Sequence, residues 1–131
     1  MIFGIGIDIV EIERIDASYA RFGARFAQRI LGASELERFR ARAARSERRG
    51  IAFLATRFAA KEAVSKALGL GMRSPMQWRS VEVINDASGR PLVKMHGELK
   101  EFVDHNRLRL HVSLTDERLT AAAYAIAEVV A

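Results

Sequence analysis

The chain has no cysteine, so disulfides, thiolate metal centres and cysteine nucleophiles are all excluded. A reducing cytoplasm is compatible with that composition without being demanded by it. Long apolar runs are missing too. Met1 to Val10 has no basic leader, carries Asp8 and shows no small-residue cleavage pattern, so it does not read as a signal peptide. Leu119 to Ala131 is apolar but interrupted by Glu128, and it is too short to span a bilayer. The expectation is a soluble protein without membrane contact. Several common site motifs are also absent. Gly4 and Gly6 begin a G-x-G, yet Ile9 stands where a dinucleotide loop needs its third glycine. There is no G-x-x-x-x-G-K loop, no H-x-x-x-H zinc pair and no G-x-S-x-G elbow. The three histidines lie too far apart in sequence to suggest a local metal site.

What is present is an ordinary globular composition, half of it hydrophobic, in 131 residues. One compact domain covering residues 1–131 is expected, with a core that leaves little to spare, so an oligomer would be no surprise. Charge is distributed unevenly. From Glu13 to Arg57 there are eleven arginines and no lysine against five carboxylates, whereas the rest of the chain holds ten basic and eleven acidic side chains. All the positive excess therefore sits in one contiguous third, which suits either a docking face for an acidic partner or a set of solvated arginine-rich helices.

Periodicity predicts an α+β domain in which an antiparallel sheet packs against one long helix and shorter helices. Residues 2–13 read as a strand, with Phe3, Ile5, Ile7 and Ile9 alternating with Gly4, Gly6 and Asp8. The switch of parity to Val10 and Ile12 suggests a bulge after Ile9. Arg14 to Leu31 reads as helix broken at Gly23. Ser34 can cap a helix from Glu35 to about Ala44, with Glu37 placed for a capping box. The longest helix opens at or just after Ser46, runs to about Leu68 and is closed by Gly69 and Gly71. On it Phe53, Ala60, Val64, Ala67 and Leu68 form an apolar stripe, and Phe58, Glu62, Ser65 and Lys66 occupy another face. Trp78 to Ile84 and Leu92 to His96 read as strands around a turn, followed by a short helix from Gly97 to Asn106. Leu108 to Leu114 is a further strand with His111 on its polar face. The alanines of the last segment favour helix, while its valines and the short connection at Asp116 favour a closing strand, and strand is the reading adopted.

Three places stand out chemically. Asp8 lies within an isoleucine run, where a carboxylate is costly to bury unpaired. Its glycine neighbours leave room for a ligand or metal, although an edge strand with Asp8 in water fits equally. Glu62 and Lys66 are helical neighbours that suit a surface ion pair, yet they share a face with Phe58 and precede Gly69-Leu70-Gly71, a backbone that a ligand can approach closely. His111 fits either a ligand contact or a hydrogen-bonded structural role.

Together these positions resemble the holo-acyl-carrier-protein synthases, small phosphopantetheinyl transferases, over nearly the whole chain. The resemblance begins with Gly4-Ile5-Gly6-Ile7-Asp8-Ile9-Val10-Glu11-Ile12 and Arg14. It continues through Arg57-Phe58-Ala59-Ala60-Lys61-Glu62-Ala63 and Lys66-Ala67-Leu68-Gly69, and ends with Asn85, Gly89, Pro91 and His111-Val112-Ser113-Leu114-Thr115. Thr115 and Asp116 stand where some members have Ser and His. The resemblance implies the phosphopantetheinyl transferase fold. It also implies transfer of the 4'-phosphopantetheine group from coenzyme A to a serine of apo acyl carrier protein, releasing 3',5'-ADP, in fatty acid biosynthesis. It further implies that Asp8 and Glu62 hold magnesium on the diphosphate of coenzyme A, that Glu62 helps deprotonate the carrier serine and that Lys66 neutralises the departing 3',5'-ADP. Gly69, Gly89, Pro91 and His111 are implied to line the nucleotide pocket, and Arg14, Arg21 and Arg25 to dock the acidic carrier. A cytoplasmic homotrimer with sites at subunit seams is the implied assembly. Arg21 and Arg25, one helical turn apart in sequence, are expected to share a face. Two rival readings are a nucleic-acid-binding module, which leaves Asp8 and Glu62 unexplained, and a different magnesium-dependent enzyme acting on nucleotide diphosphates.

Overall fold

The computed structural model describes residues 1–131. Its chain begins as strand β1 (Ile2–Glu11), followed by helices α1 (Ile12–Phe22), α2 (Ala24–Ile30), α3 (Ala33–Arg45) and α4 (Glu47–Leu68). A 3-10 turn (Trp78–Ser80) leads into β2 (Val81–Asn85) and β3 (Pro91–Met95), then α5 (Gly97–His105), β4 (Leu108–Asp116) and β5 (Thr120–Val129). The strands form two antiparallel sheets, a three-stranded one in the order β1-β5-β4 and a β2-β3 hairpin. The α+β expectation holds, with two sheets where one was expected.

The centre of the fold is α4. From Gly50 onward only Ala52, Phe58, Glu62 and Lys66 escape full burial. The expected division into one apolar and one polar face is therefore too generous to water: Phe58, Glu62 and Lys66, spaced four apart, form a single solvent-facing line on an otherwise enclosed helix. Ser46 caps the start by accepting a hydrogen bond from the Arg49 N–H at 3.4 Å, and Gly69 closes the end in the left-handed conformation at φ 74°.

The sheet face against α4 is made of small residues. Gly4, Gly6, Asp8 and Val10 of β1 lie opposite Ala127, Ala125, Ala123 and Ala121 of β5. A Cβ at Gly4 or Gly6 would overlap the carbonyl oxygens of Ala67 or Ala63 on α4. The glycines thus admit the helix backbone, not a ligand as the sequence suggested. The same packing decides the ambiguous last segment: alternate alanines, all buried, let β5 lie close under α4.

The isoleucines point the other way. Ile5, Ile7 and Ile9 are 56, 56 and 66% exposed on the outer face, beside Phe3 and Tyr124. Pairing runs unbroken from Gly4 to Glu11, so the bulge expected after Ile9 does not form, and the register shifts instead between Ile2 and Gly4. Ile12 and Glu13 already belong to α1. The capping box of α3 also differs from expectation. Its glutamate is Glu35, whose Oε1 accepts the Gly32 N–H at 3.0 Å, because the helix starts at Ala33 instead of Glu35.

Candidate active site

Strand β1 and helix α4 bring Asp8, Glu62 and Lys66 together because the glycine–alanine face lets them pack backbone to backbone. The Lys66 ammonium donates to the Ile7 carbonyl at 2.9 Å and lies 3.3 Å from Asp8 Oδ1. Asp8 is on the inner face of β1, with a side chain only 19% exposed. Glu62 is half-buried one turn before Lys66. Its pKa is raised, chiefly by desolvation and then by the Asp8 charge, with Lys66 and Arg14 acting in the opposite direction. Two carboxylates thus share a small region, and the strain on Glu62 is the kind a cation relieves.

No group of three or more His, Cys, Asp or Glu side chains forms anywhere in the chain. A fully protein-ligated centre is therefore not built. Two carboxylates are, and that is the usual protein contribution to bound magnesium, whose remaining ligands are phosphate oxygens and waters. The donor set fits the ion.

The other expected pocket residues lie elsewhere. Gly69 caps the end of α4, three residues after Lys66. Gly89, at φ 88°, is in the β2–β3 turn, where its carbonyl accepts from Asn85 Nδ2 at 2.8 Å, and Pro91 opens β3. His111 pairs with Ile126 in register and so occupies the outer sheet face, opposite to Asp8, with Nε2 3.1 Å from Glu128 Oε1. No hydrogen bond or ion pair joins Gly89, Pro91 or His111 to Asp8, Glu62 or Lys66 in this chain. Arg14 and Arg21 are exposed on α1, and Arg25 is exposed on α2. The break at Gly23 (φ 63°, ψ −144°) puts Arg21 and Arg25 on separate helices, so the shared helical face expected of them does not exist.

Two cavities were not foreseen. One, about 550 Å³, lies between α2 and the 3-10 turn and is walled by Phe22, Arg25, Phe26, Arg29, Ile30, Phe58 and Trp78. Phe58 stacks on Trp78 with centroids 4.8 Å apart. The other, about 430 Å³, is lined by Arg42, Arg49, Phe53, Arg57, Asn85, Thr115 and others. Burial holds the Arg57 guanidinium down to about 10, while it donates to the Val83 carbonyl and to Asn85 Oδ1 and lies 4.1 Å over the Phe53 ring. The quoted motif contained Arg57 and Asn85, but only the fold shows that they meet.

Residues 4–127 match the family described as the 4'-phosphopantetheinyl transferase superfamily. The holo-[acyl-carrier-protein] synthase of Ralstonia nicotianae is 55% identical over 127 residues, covering 97% of this chain and 92% of that protein. The crystal structure of holo-[acyl-carrier-protein] synthase from Neisseria meningitidis superposes with a TM-score of 0.89 at 37% identity, over 98% of this chain and 99% of that one. A holo-(acyl-carrier-protein) synthase from Bacillus anthracis, solved in complex with CoA (3',5'-ADP), gives 0.82 at 32% identity over 99% of each chain.

The raised pKa of Glu62 sets a testable pH dependence. A carboxyl whose folded pKa exceeds its unfolded value holds its proton better when folded. Its contribution to stability is therefore greatest at low pH and is lost as pH rises from the unfolded value through the folded one. In chelator-treated protein at pH 7, Glu62→Gln is expected to raise the thermal midpoint, and the gain should vanish at pH 4. A variant less stable than the parent at pH 7 would show that burial, with the Asp8 charge, does not disfavour ionised Glu62.

Proposed function

Because the chain belongs to the 4'-phosphopantetheinyl transferase superfamily, we propose that its 131 residues work as one holo-acyl-carrier-protein synthase domain. It moves 4'-phosphopantetheine from coenzyme A to a serine of apo acyl carrier protein. The observation that carries the catalytic assignment is the meeting of Asp8, Glu62 and Lys66 where β1 touches α4.

Asp8 and Glu62 would hold magnesium where the diphosphate of coenzyme A binds. When bound, the ion supplies charge neutralisation at the phosphate oxygens during in-line displacement. Glu62, with its pKa raised by desolvation and Asp8, accepts the serine proton directly or through a water. The serine Oγ forms a bond to the phosphorus that carries pantetheine, the bond from that phosphorus to the ADP oxygen breaks, and 3',5'-ADP departs. The exposed Lys66 ammonium offsets the charge on the leaving group. No covalent enzyme intermediate is needed, which agrees with a chain lacking cysteine.

His111 faces away from the carboxylates of its own chain and Gly89 and Pro91 lie in the separate β2–β3 hairpin, which supports their contacting nucleotide bound at the site of a neighbouring copy. The outer face bearing Ile5, Ile7, Ile9, Phe3 and Tyr124 is the surface that second copy would cover, in a homotrimer. The acidic carrier docks on Arg14, Arg21 and Arg25, and the apolar cavity rimmed by Arg25 and Arg29 continues that surface. We place the reaction in the cytoplasm; no helix of the chain is long and apolar enough to cross a membrane.

Three outcomes are expected. Asp8→Asn and Glu62→Gln should each keep the fold and lower magnesium-dependent transfer by orders of magnitude. The double variant should lose little more than the worse single one, and manganese should partly replace magnesium. Full transfer in chelator, or near-normal transfer by folded Asp8→Asn, contradicts the metal site. Arg21→Glu should raise KM for the carrier and flatten its salt dependence while leaving KM for coenzyme A unchanged. Light scattering should return a trimer; a stable, fully active monomer rules the shared site out.

A further inference from the structure

Lys61, immediately before Glu62, is entirely buried. Its ammonium lies 2.6 Å from Glu35 Oε1, 2.7 Å from the carbonyls of Ile30 and Val81, and 2.8 Å from that of Trp78. These four oxygens belong to α3, the end of α2, the start of β2 and the 3-10 turn, so five elements converge on one nitrogen. One nitrogen can face so many acceptors only as an ammonium, whose three protons are then shared among the four oxygens. Glu35 is held in turn by the N–H groups of Gly32 at 3.0 Å and Val83 at 2.8 Å. Every proton on Lys61 is committed inside the protein, which excludes it from touching substrate.

Two of those acceptors have a second role. Ile30 and Trp78 line the cavity between α2 and the 3-10 turn, and Phe58, one turn before Glu62, stacks on Trp78 inside it. Hydrogen bonds from a single nitrogen to both carbonyls fix how far apart α2 and the turn can stand. We infer that Lys61 is a positioning residue for the reaction proposed above: its ammonium fixes the width of this cavity, and through it how the docked carrier is seated relative to Glu62. This inference rests on the reading that the carrier docks here.

Two experiments test it. Lys61→Met alone strands the buried Glu35 carboxylate and is expected to fold poorly. Lys61→Met/Glu35→Gln removes both charges at similar volume. Trp78 is the only tryptophan, so its emission reports on the cavity wall. In the folded double variant, acrylamide quenching should rise at least twofold and KM for apo carrier roughly tenfold, with KM for coenzyme A within about twofold. A purely structural role would lower stability and leave those constants alone. A folded variant with unchanged quenching and unchanged KM for the carrier overturns the inference.

The second experiment uses the unaltered protein. The chain has four lysines, and Lys66, Lys94 and Lys100 are exposed. Lysine labelled with nitrogen-15 should therefore give one slowly exchanging ammonium signal. That signal should move when apo carrier saturates the protein in the absence of coenzyme A. A carrier that perturbs Trp78 but not this ammonium defeats the role of Lys61 and leaves the docking surface standing. A carrier that is modified normally yet perturbs neither defeats the docking surface and the inference with it.

Discussion

The fold hangs on a buried ion pair. Lys61 and Glu35 are both fully enclosed, 2.6 Å apart, and their remaining hydrogen-bonding capacity is spent on backbone groups of α2, α3, β2 and the 3-10 turn. Desolvation lowers the Lys61 pKa from its ordinary value, and the Glu35 charge works against that shift. Such a pair is not automatically stabilising, but removing one partner typically costs about 3–5 kcal/mol because the other charge is stranded. A second carboxylate extends the arrangement. Glu82 accepts the N–H groups of Ser34 and Glu35 at the start of α3 and pairs with His96 at 2.7 Å. Its burial alone would raise its pKa, yet these hydrogen bonds bring it below the usual carboxylate range. No buried side-chain polar atom in the chain lacks a partner. The network is complete, which is the condition under which buried polar groups specify one arrangement.

With α4 anchored at Lys61, the small inner face of the sheet determines what the helix presents. Gly4, Gly6 and the β5 alanines bring the backbones close enough for Lys66 to reach the Ile7 carbonyl and Asp8. Glu62 is then held on the one line of α4 open to solvent, within reach of the Arg14 charge and one turn after Phe58, which lines the α2 cavity. The packing that excludes side chains from the sheet face also leaves the isoleucines outward, so construction of the carboxylate pair and exposure of an apolar outer face follow from one alternation.

Much of this was legible beforehand. The helix from Ser46 to Leu68, the break at Gly23, the closing strand and the trio Asp8, Glu62 and Lys66 all follow from caps, periodicity and motif. What was misread shares one cause: a sequence shows residue types but not what lies opposite them. Glycines beside Asp8 read as space for a ligand when a helix fills it. The alternation of isoleucines was visible, but not that their face is the outer one. Lys61 was an unremarked letter in a motif, because nothing in a sequence distinguishes a lysine whose charge is buried. Arg21 and Arg25 were placed on one face by counting through a glycine whose positive φ ends the helix between them. The arginine-lined cavity needed Arg57, Asn85 and Thr115 to meet across three elements, which no local signal encodes.

The central claim is that this surface transfers phosphopantetheine to a protein serine. Its most direct test is to incubate the protein with coenzyme A, magnesium and apo acyl carrier protein, then to weigh the carrier and assay the nucleotide released. The carrier should gain one phosphopantetheine group on a serine with an equimolar yield of 3',5'-ADP. Coenzyme A cleaved while the carrier mass stays unchanged would contradict the account and favour a hydrolase of nucleotide diphosphates.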